Sequence, residues 1–204
     1  MKLALLFSGG KDSTYAGYLA KKLGYEISCL ITIISESQDS YMFHTEKIRL
    51  TNEQAKIMGI PIIQKTTKGD KELELKDLTS AIKEAIKKYK IKGVITGAIE
   101  SVYQSSRIQK ICNELKIECF NPLWQKDQIE HLNDLVKNKF DVIITKVAAD
   151  GLDERWIGMK IDKKTIDELK ELNEKYKINP AGEGGEFETL VLNCPMFKKR
   201  LELK

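Results

Sequence analysis

The sequence predicts an α/β protein, in which a doubly wound, Rossmann-like parallel sheet is followed by a smaller C-terminal α/β domain. A short apolar strand followed by a segment of helical spacing recurs four times in the first 124 residues. Such repeats give parallel strands joined by right-handed crossovers. Residues 27–34 are mostly apolar and β-branched, as in a strand buried on both faces. A glycine-rich turn separates the first strand from the first helix.

The individual elements each have a signal of their own. Gly24 and Gly59 follow segments of helical spacing, where a glycine commonly ends a helix. Residues 72–90 carry their apolar side chains on one helical face. The predicted strands are 3–7, 27–34, 60–65, 93–97 and 117–120, and the predicted helices are 13–23, 46–58, 72–90 and 102–115.

The pattern changes after Trp124, where the regular alternation of strand and helix stops. Helices are predicted at 128–139 and 163–175, and strands at 141–147 and 189–192. We therefore predict two domains. Residues 1–124 form a nucleotide-binding domain, and residues 125–204 form a C-terminal substrate-binding domain.

Composition sets limits on the function. The chain has 204 residues, 42% hydrophobic and 31% charged, with a net charge of +4, which is ordinary for a soluble globular protein. Acidic and basic residues alternate without a basic stripe, so we expect no direct binding to nucleic acid. No apolar run approaches the roughly 20 residues of a membrane span, and no secretory signal is visible. We therefore expect a cytoplasmic protein with no membrane partner.

The loop Ser8–Ser13 follows the first strand and begins the first helix, which is the usual place for a phosphate-binding turn. Gly9 and Gly10 allow a sharp turn and close approach of an anion. Lys11 can neutralise phosphate charge, and the two serines can donate hydrogen bonds. Asp12 would repel a bare phosphate, so we expect it to hold Mg²⁺ or to cap the helix.

Two better-known phosphate loops do not fit these residues. A Walker loop requires G-x-x-x-x-G-K-[ST], and a dinucleotide loop requires G-x-G-x-x-G. The sequence Ser8-Gly9-Gly10-Lys11-Asp12-Ser13 instead resembles the S-G-G-x-D-S signature of the N-type ATP pyrophosphatases. That resemblance implies an adenine nucleotide alpha-hydrolase-like fold. It also implies that ATP is cut between its α- and β-phosphates, with pyrophosphate held by this loop.

Four further segments resemble one branch of that superfamily, the diphthine–ammonia ligases. These segments are Ser40-Tyr41-Met42-Phe43-His44-Thr45, the stretch 97–107, Pro122-Leu123-Trp124, and Glu183-Gly184-Gly185-Glu186-Phe187-Glu188-Thr189. The resemblance implies ATP-dependent amidation of diphthine on translation elongation factor 2 with ammonium. The products would be diphthamide, AMP and pyrophosphate, formed through an acyl-adenylate. The sequence departs from the family pattern at Glu46-Lys47, Gln125 and Asn193.

The stretch 97–107 offers candidates for nucleotide and substrate binding. Gly97 follows a strand at its carboxyl end, where the lack of a side chain would allow an adenine or ribose to come close. Gln104 and Arg107 lie three apart on the next helix and share a face. Arg107 is expected to contact an acyl-phosphate or the diphthine carboxylate, or else to be a surface arginine paired with a glutamate. Tyr103 joins them as a substrate-binding candidate through the resemblance.

The two histidines have different expectations. His44 follows an aromatic, loop-like stretch, and a neutral imidazole there could accept a proton from the attacking ammonium. The alternative for His44 is a packed loop histidine. His131 lies in a polar helical stretch and is expected at the surface.

The segment 183–189 places carboxylates around a tight Gly184-Gly185 turn. Such a negatively charged concavity would suit Mg²⁺, ammonium or the trimethylammonium group of diphthine. Phe187, Trp156 or Trp124 could add an aromatic face for a quaternary ammonium. A solvated acidic hairpin is the alternative. The substrate-binding candidates in this segment are Glu183, Gly184, Gly185, Glu186, Glu188 and Thr189.

Two rival functions remain open from the sequence. One is an enzyme of the same superfamily that adenylates a tRNA base or another small carboxylate. The other is a nucleotide-binding module without turnover, against which an intact Lys11, Asp12 and Ser13 argue. A homodimer is expected for a small synthetase of this kind.

Overall fold

A computed structural model of the chain describes residues 1–35, 48–67 and 71–203. His44, the segment 40–45 and the beginning of the predicted helix 46–58 lie outside the described residues. The description includes the loop Ser8–Ser13 and the whole C-terminal motif 183–189.

Five parallel strands form the larger sheet, in the order β3-β2-β1-β4-β5. The strands are β1 (Lys2–Leu6), β2 (Glu26–Ser35), β3 (Ile62–Thr67), β4 (Gly93–Ile95) and β5 (Glu118–Phe120). The chain first builds outward from β1 to β3, and then returns to the other side of β1 with β4. The order therefore reverses between β1 and β4, and ligands of open α/β sheets bind at such a reversal.

Helices cover both faces of this sheet, so the doubly wound prediction is confirmed. The helices are α1 (Lys11–Lys22), α2 (Thr51–Met58), α3 (Lys71–Tyr89) and α4 (Val102–Leu115). Helices α3 and α4 pack on the face that carries Ala4, Ile31 and Val94. Helices α1 and α2 pack on the opposite face, which carries Leu3 and Leu5.

Helix ends follow the local sequence. Helix α2 ends at Gly59, whose φ of 70° is a left-handed conformation that glycine adopts without strain. Ser101 precedes α4, and its side chain accepts a hydrogen bond from the backbone N–H of Gln104. Asp127 caps the next helix in the same way, through the N–H of Glu130. These caps fix where α4 and the helix after Asp127 begin, and both helices contribute candidate site residues.

The C-terminal part contains α5 (Gln128–Lys137), β6 (Asp141–Val147), α6 (Lys163–Tyr176) and β7 (Phe187–Asn193). Strands β6 and β7 pair antiparallel. Leu132, Ile144 and Leu169 of this part belong to the same buried cluster as Leu3 and Leu5 of the larger sheet. The smaller α/β unit therefore packs against the α1 side of the larger one.

Strand β7 begins two residues earlier than predicted, because Phe187 pairs with Val147. No helix in the described part of the chain is long and apolar enough to span a membrane.

Candidate active site

The loop Ser8–Ser13 lies where the strand order reverses. It connects the carboxyl end of β1 to α1, and the segment that follows β4 runs beside it. The loop is closed by its own serines. The hydroxyls of Ser8 and Ser13 lie 3.1 Å apart, and the N–H of Ser8 donates to Ser13 Oγ at 3.2 Å. The N–H of Gly10 donates to Ser8 Oγ at 3.3 Å. These hydrogen bonds hold the turn in its shape.

Strand β7 forms the wall behind this loop. The N–H of Lys11 donates to Thr189 Oγ1 at 3.1 Å, and the N–H of Val191 donates to the carbonyl of Gly9 at 3.0 Å. A Cβ on Gly10 would meet the carbonyl and the hydroxyl of Thr189 at 3.3 Å. The C-terminal motif and the phosphate loop, 178 residues apart in sequence, are therefore parts of one site.

Lys11 is buried, with 3% of its surface exposed. Its Nζ lies 2.8 Å from Asp12 Oδ2 and 5.7 Å from the centre of the Phe187 ring. A buried ammonium must be paired, and the carboxylate supplies the pair. Phe187 was one candidate for the aromatic face that contacts a quaternary ammonium. In the structure, its ring lies next to Lys11. Trp156, another candidate, is buried in the core, whereas Trp124 is 37% exposed.

Asp12 does not cap α1, because the N-cap residue is Gly10 and no side chain caps that helix end. One oxygen of Asp12 faces Lys11, and the other lies 2.7 Å from Nε2 of His131. Burial disfavours the charged carboxylate. The adjacent Lys11 and the hydrogen bond from His131 outweigh burial and lower the pKa of Asp12 to about 2. The carboxylate is therefore ionised and available to a cation.

The prediction that His131 lies at the surface is wrong. The side chain is fully buried, between Asp12 and the ring of Tyr15, whose centre is 5.4 Å from that of the imidazole. Helix α5 looks polar in sequence, but its face with Leu132 and Leu135 packs into the core. His131 shares the buried side of that helix, which a local count of polar residues does not reveal.

Glu183 closes the site from the C-terminal turn. Its Oε2 accepts a hydrogen bond from the N–H of Ile99 at 3.2 Å, in the segment that follows β4. Burial, together with the negative charge of Asp12, raises the pKa of Glu183, although Lys11 opposes this shift. Lys11, Asp12 and Glu183 thus form one electrostatic cluster.

The other residues of the motif shape the turn. Glu186 Oε1 accepts from the N–H of Asn179 at 2.9 Å, and Oε2 accepts from the N–H of Gly184 at 2.8 Å. Gly185 has a φ of +89°, which favours glycine. Glu188 is 13% exposed and lies 3.7 Å from Lys146 Nζ. Glu186 therefore holds the loop that presents Glu183.

In the structure, a close contact with the protein backbone explains the glycine at position 97, whereas the prediction was the approach of a nucleotide. A Cβ there would lie 2.7–2.9 Å from backbone atoms of Asp12 and Ser13. Gly97 therefore lets the end of β4 pack directly against the first turn of α1.

Arg107 stacks on Tyr103, with the guanidinium carbon 3.4 Å from the ring centre. It also lines a groove of about 550 Å³ between α3 and α4, together with Lys76 and Lys110. Within the described residues, neither Arg107 nor Gln104 forms a hydrogen bond or an ion pair with Lys11. Arg107 therefore packs against Tyr103 and borders the groove.

Gln54 is a site residue that the sequence analysis missed. It is fully buried on α2, and its Nε2 donates to the carbonyls of Gly9 at 3.0 Å and Val191 at 2.8 Å. A Cβ on Gly9 would collide with Oε1 of Gln54. Gln54 therefore joins the phosphate loop to β7. Nothing in its local sequence marks it, since a glutamine in a helix is ordinarily exposed.

Comparison with known proteins identifies the family. The model of the diphthamide synthase N-terminal domain matches residues 1–119, and that of the diphthamide synthase C-terminal domain matches residues 127–204. A diphthine–ammonia ligase from Schizosaccharomyces pombe is 36% identical over 219 residues, covering 100% of this chain but 36% of that protein. Those from Bos taurus and Homo sapiens are each 33% identical, covering 98% of this chain and 82% of each relative.

Two solved structures are more distant. One is a protein described as a predicted subunit of tRNA methyltransferase from Methanocaldococcus jannaschii, with 20% identity, a TM-score of 0.46, and coverage of 96% of this chain and 98% of that one. The other is a U34-tRNA thiolase from Methanococcus maripaludis, with 16% identity, a TM-score of 0.44, and coverage of 91% and 70%. The two domain models and the relatives of 33–36% identity show that the chain belongs to the diphthamide synthase, or diphthine–ammonia ligase, family.

Proposed function

We propose that this chain joins ammonium to the carboxylate of diphthine on translation elongation factor 2, at the expense of ATP. One observation supports the proposal most: the phosphate loop and the acidic turn of the C-terminal motif form a single site. The bond from the Lys11 N–H to Thr189 joins them, and Glu183 lies within electrostatic reach of Asp12. A site with a pyrophosphate end and an acidic end suits a reaction of ATP with a cationic acceptor.

In the first step, a carboxylate oxygen of diphthine attacks the α-phosphorus of ATP. The bond from the α-phosphorus to the bridging oxygen breaks, and pyrophosphate leaves into the loop Ser8–Ser13. The N–H groups at the start of α1 and the ammonium of Lys11 stabilise the charge of pyrophosphate. The product is an acyl-adenylate, in which AMP is now a good leaving group.

In the second step, ammonium loses a proton to become ammonia, which attacks the acyl carbon. The bond to AMP breaks, and the new amide nitrogen releases a second proton. We propose that Glu183 holds the incoming ammonium or takes one of these protons, because its pKa is raised and it faces the cluster. The acidic turn also provides the charge that a trimethylammonium group would seek. Thr189 lies against the phosphate loop, and we propose from the resemblance that Glu188 and Thr189 also contribute to binding the acceptor.

Asp12 suits Mg²⁺, because it is an ionised carboxylate in the first turn of α1, near the end of the loop Ser8–Ser13. Mg²⁺ is commonly held by one or two carboxylates together with substrate phosphates. Among the described residues, no group of three or more His, Cys, Asp or Glu is placed to hold a metal, so the phosphates would complete the coordination. When bound, the ion would neutralise charge on the phosphates of ATP.

Other assignments rest on the sequence and on the family resemblance. We propose that Gly97 borders the nucleotide, that Tyr103, Gln104 and Arg107 contact the acceptor, and that His44 serves as a base. We also propose a division into domains near residue 124, a homodimer, a cytoplasmic location and no direct contact with nucleic acid.

The nucleotide products test the proposal. The protein is incubated with ATP, ammonium and elongation factor 2 that carries diphthine, and the nucleotides are separated. We expect AMP and pyrophosphate, and we expect Lys11→Met to lower their formation at least about 100-fold. ADP as the product would contradict the chemistry. AMP formation that depends on tRNA instead would support the rival enzyme.

A further inference from the structure

His131 forms a hydrogen bond that has no role in the two reaction steps proposed above. Its Nε2 lies 2.7 Å from Oδ1 of Asp12, while the second oxygen of Asp12 lies 2.8 Å from Nζ of Lys11. Lys11 and Asp12 belong to α1, whereas His131 belongs to α5 of the C-terminal part. The carboxylate of Asp12 is therefore held from two sides, by two different parts of the chain.

Binding of ATP would weaken one of these two contacts. To neutralise the departing pyrophosphate, the ammonium of Lys11 would turn N–H donors from Oδ2 of Asp12 toward phosphate oxygens. The side chain of Asp12 is only 24% exposed, and the carboxylate of Glu183 lies in the same cluster. A carboxylate whose lysine contact was weakened there would be poorly hydrated and repelled by Glu183, so it would turn away before Mg²⁺ could be held between it and the phosphates. The bond to His131 opposes that rotation.

We propose that His131 is a positioning residue that keeps Asp12 oriented toward the phosphates after Lys11 has moved to them. The inference rests on the proposed function, because it assumes that ATP binds at the loop Ser8–Ser13. His131 touches neither ATP nor the acceptor in this account. It acts through the one carboxylate that the loop offers to a cation.

Packing alone does not account for a histidine at this position. Its ring is fully buried beside Tyr15, and its neighbours Leu132 and Leu135 on α5 are apolar. Among the described residues, its Nδ1 is buried without a hydrogen-bond partner. An unpartnered buried polar atom destabilises the folded state, and a leucine would avoid that cost. The bond from Nε2 to Asp12 is what a leucine could not supply.

Proton NMR tests whether this bond outlasts the movement of Lys11. The chain has two histidines, so His131→Gln identifies which downfield ring N–H signal belongs to His131. We expect one such signal from Nε2–H, protected from exchange by burial. It should persist when the full chain is saturated with a non-hydrolysable ATP analogue and Mg²⁺. Absence of the signal, or its loss on saturation, would overturn the proposal.

Kinetics provide the second readout. We expect His131→Leu to lower kcat for AMP formation at least about tenfold while KM for ATP changes less than about threefold, since orientation rather than binding is lost. His131→Gln keeps an N–H donor and should recover most of the rate. Tyr18→Phe is the matched control: it removes a hydrogen bond between α1 and Asn138 without touching Asp12, and should leave both constants unchanged.

A wild-type rate in His131→Leu, or an equal defect in His131→Leu and His131→Gln, would overturn the positioning role. A thermal unfolding curve on each variant separates a folding defect from a catalytic one, and the NMR result stands if His131→Leu fails to fold. If the wild-type protein forms no AMP, the proposed function fails. The NMR experiment with the ATP analogue then still tests the inference.

Discussion

Gly97→Ala distinguishes a packing role for this glycine from a nucleotide-binding role. The added Cβ would lie 2.7 Å from the carbonyl carbon of Asp12, 2.8 Å from the nitrogen of Ser13 and 2.9 Å from the oxygen of Asp12. All three are backbone atoms in the first turn of α1, so no side chain can rotate away. Gly97 is absent from the residues with positive φ. Alanine is therefore tolerated by the local backbone and opposed only by sterics.

Replacing Gly97 by alanine changes the free energy of unfolding in two ways, and the two effects have opposite signs. Replacing a glycine by alanine at a compatible backbone position stabilises a protein by about 0.4–1 kcal/mol, because the unfolded chain loses freedom. Overpacking a close contact costs about 1–3 kcal/mol. Since the contacts at Gly97 are to rigid backbone, we expect overpacking to win, with a net loss of about 1–2 kcal/mol. The loop Ser8–Ser13 should also shift, weakening ATP binding.

Urea denaturation and calorimetric binding of an ATP analogue measure both quantities. Gly24→Ala is the control, because nothing lies within 4 Å of its added Cβ although its φ is +85°. It should lose about 1 kcal/mol through backbone strain and keep its affinity for ATP. The reasoning is refuted if Gly97→Ala is as stable as the wild type and binds ATP equally well.

Three further variants probe the remainder of the site and its support. Gln54→Leu removes hydrogen bonds to two buried carbonyls, so we expect a loss of about 2 kcal/mol by urea denaturation and weaker ATP binding. Burial opposes the charge of Asp141, but hydrogen bonds from Lys160 and Arg200 lower its pKa. Asp141→Asn should therefore destabilise the protein at neutral pH, with the difference disappearing as pH falls through the folded pKa. Because the pKa of Glu183 is raised, Glu183→Gln should be more stable than the wild type at neutral pH and equally stable below the ordinary pKa of glutamate, yet lose at least about tenfold in AMP formation.

Each of these outcomes can fail in a specific way. Gln54→Leu with wild-type stability would mean that the loop does not depend on this side chain. A pH-independent effect of Asp141→Asn would rule out its ion pairs as the cause. An active Glu183→Gln would remove the proposed role of that carboxylate, and a stability curve parallel to the wild type at every pH would contradict the raised pKa.

Much of the fold and the phosphate end of the site could be predicted, because both depend on local patterns. The loop Ser8–Ser13 combines a strand, two glycines and a helix start within a dozen residues. The bounds of α4 matched the prediction since Ser101 caps it and its apolar spacing is regular. The acidic turn was identified through a family resemblance. Its position against the phosphate loop could not be read from the sequence, because it depends on the pairing of strands β6 and β7.

The support of the site could not be predicted, because it depends on contacts between distant parts of the chain. His131 looked exposed, since its neighbours in sequence are polar and only the packing of α5 against α1 buries it. Gln54 carries no local signal, and it acts through Gly9 and Val191, 45 and 137 residues away. Gly97 was expected to allow a nucleotide to come close. In the structure, the atoms that come close to Gly97 are backbone atoms of Asp12 and Ser13.

The most direct test of the account follows the nitrogen itself. Isotopically labelled ammonium is supplied with ATP and diphthine-bearing elongation factor 2, and the modified histidine is analysed by mass spectrometry while AMP is counted. The account predicts that the label enters the diphthine carboxyl as an amide, with one AMP formed for each nitrogen incorporated. ATP cleaved to AMP without incorporation of labelled nitrogen would contradict it.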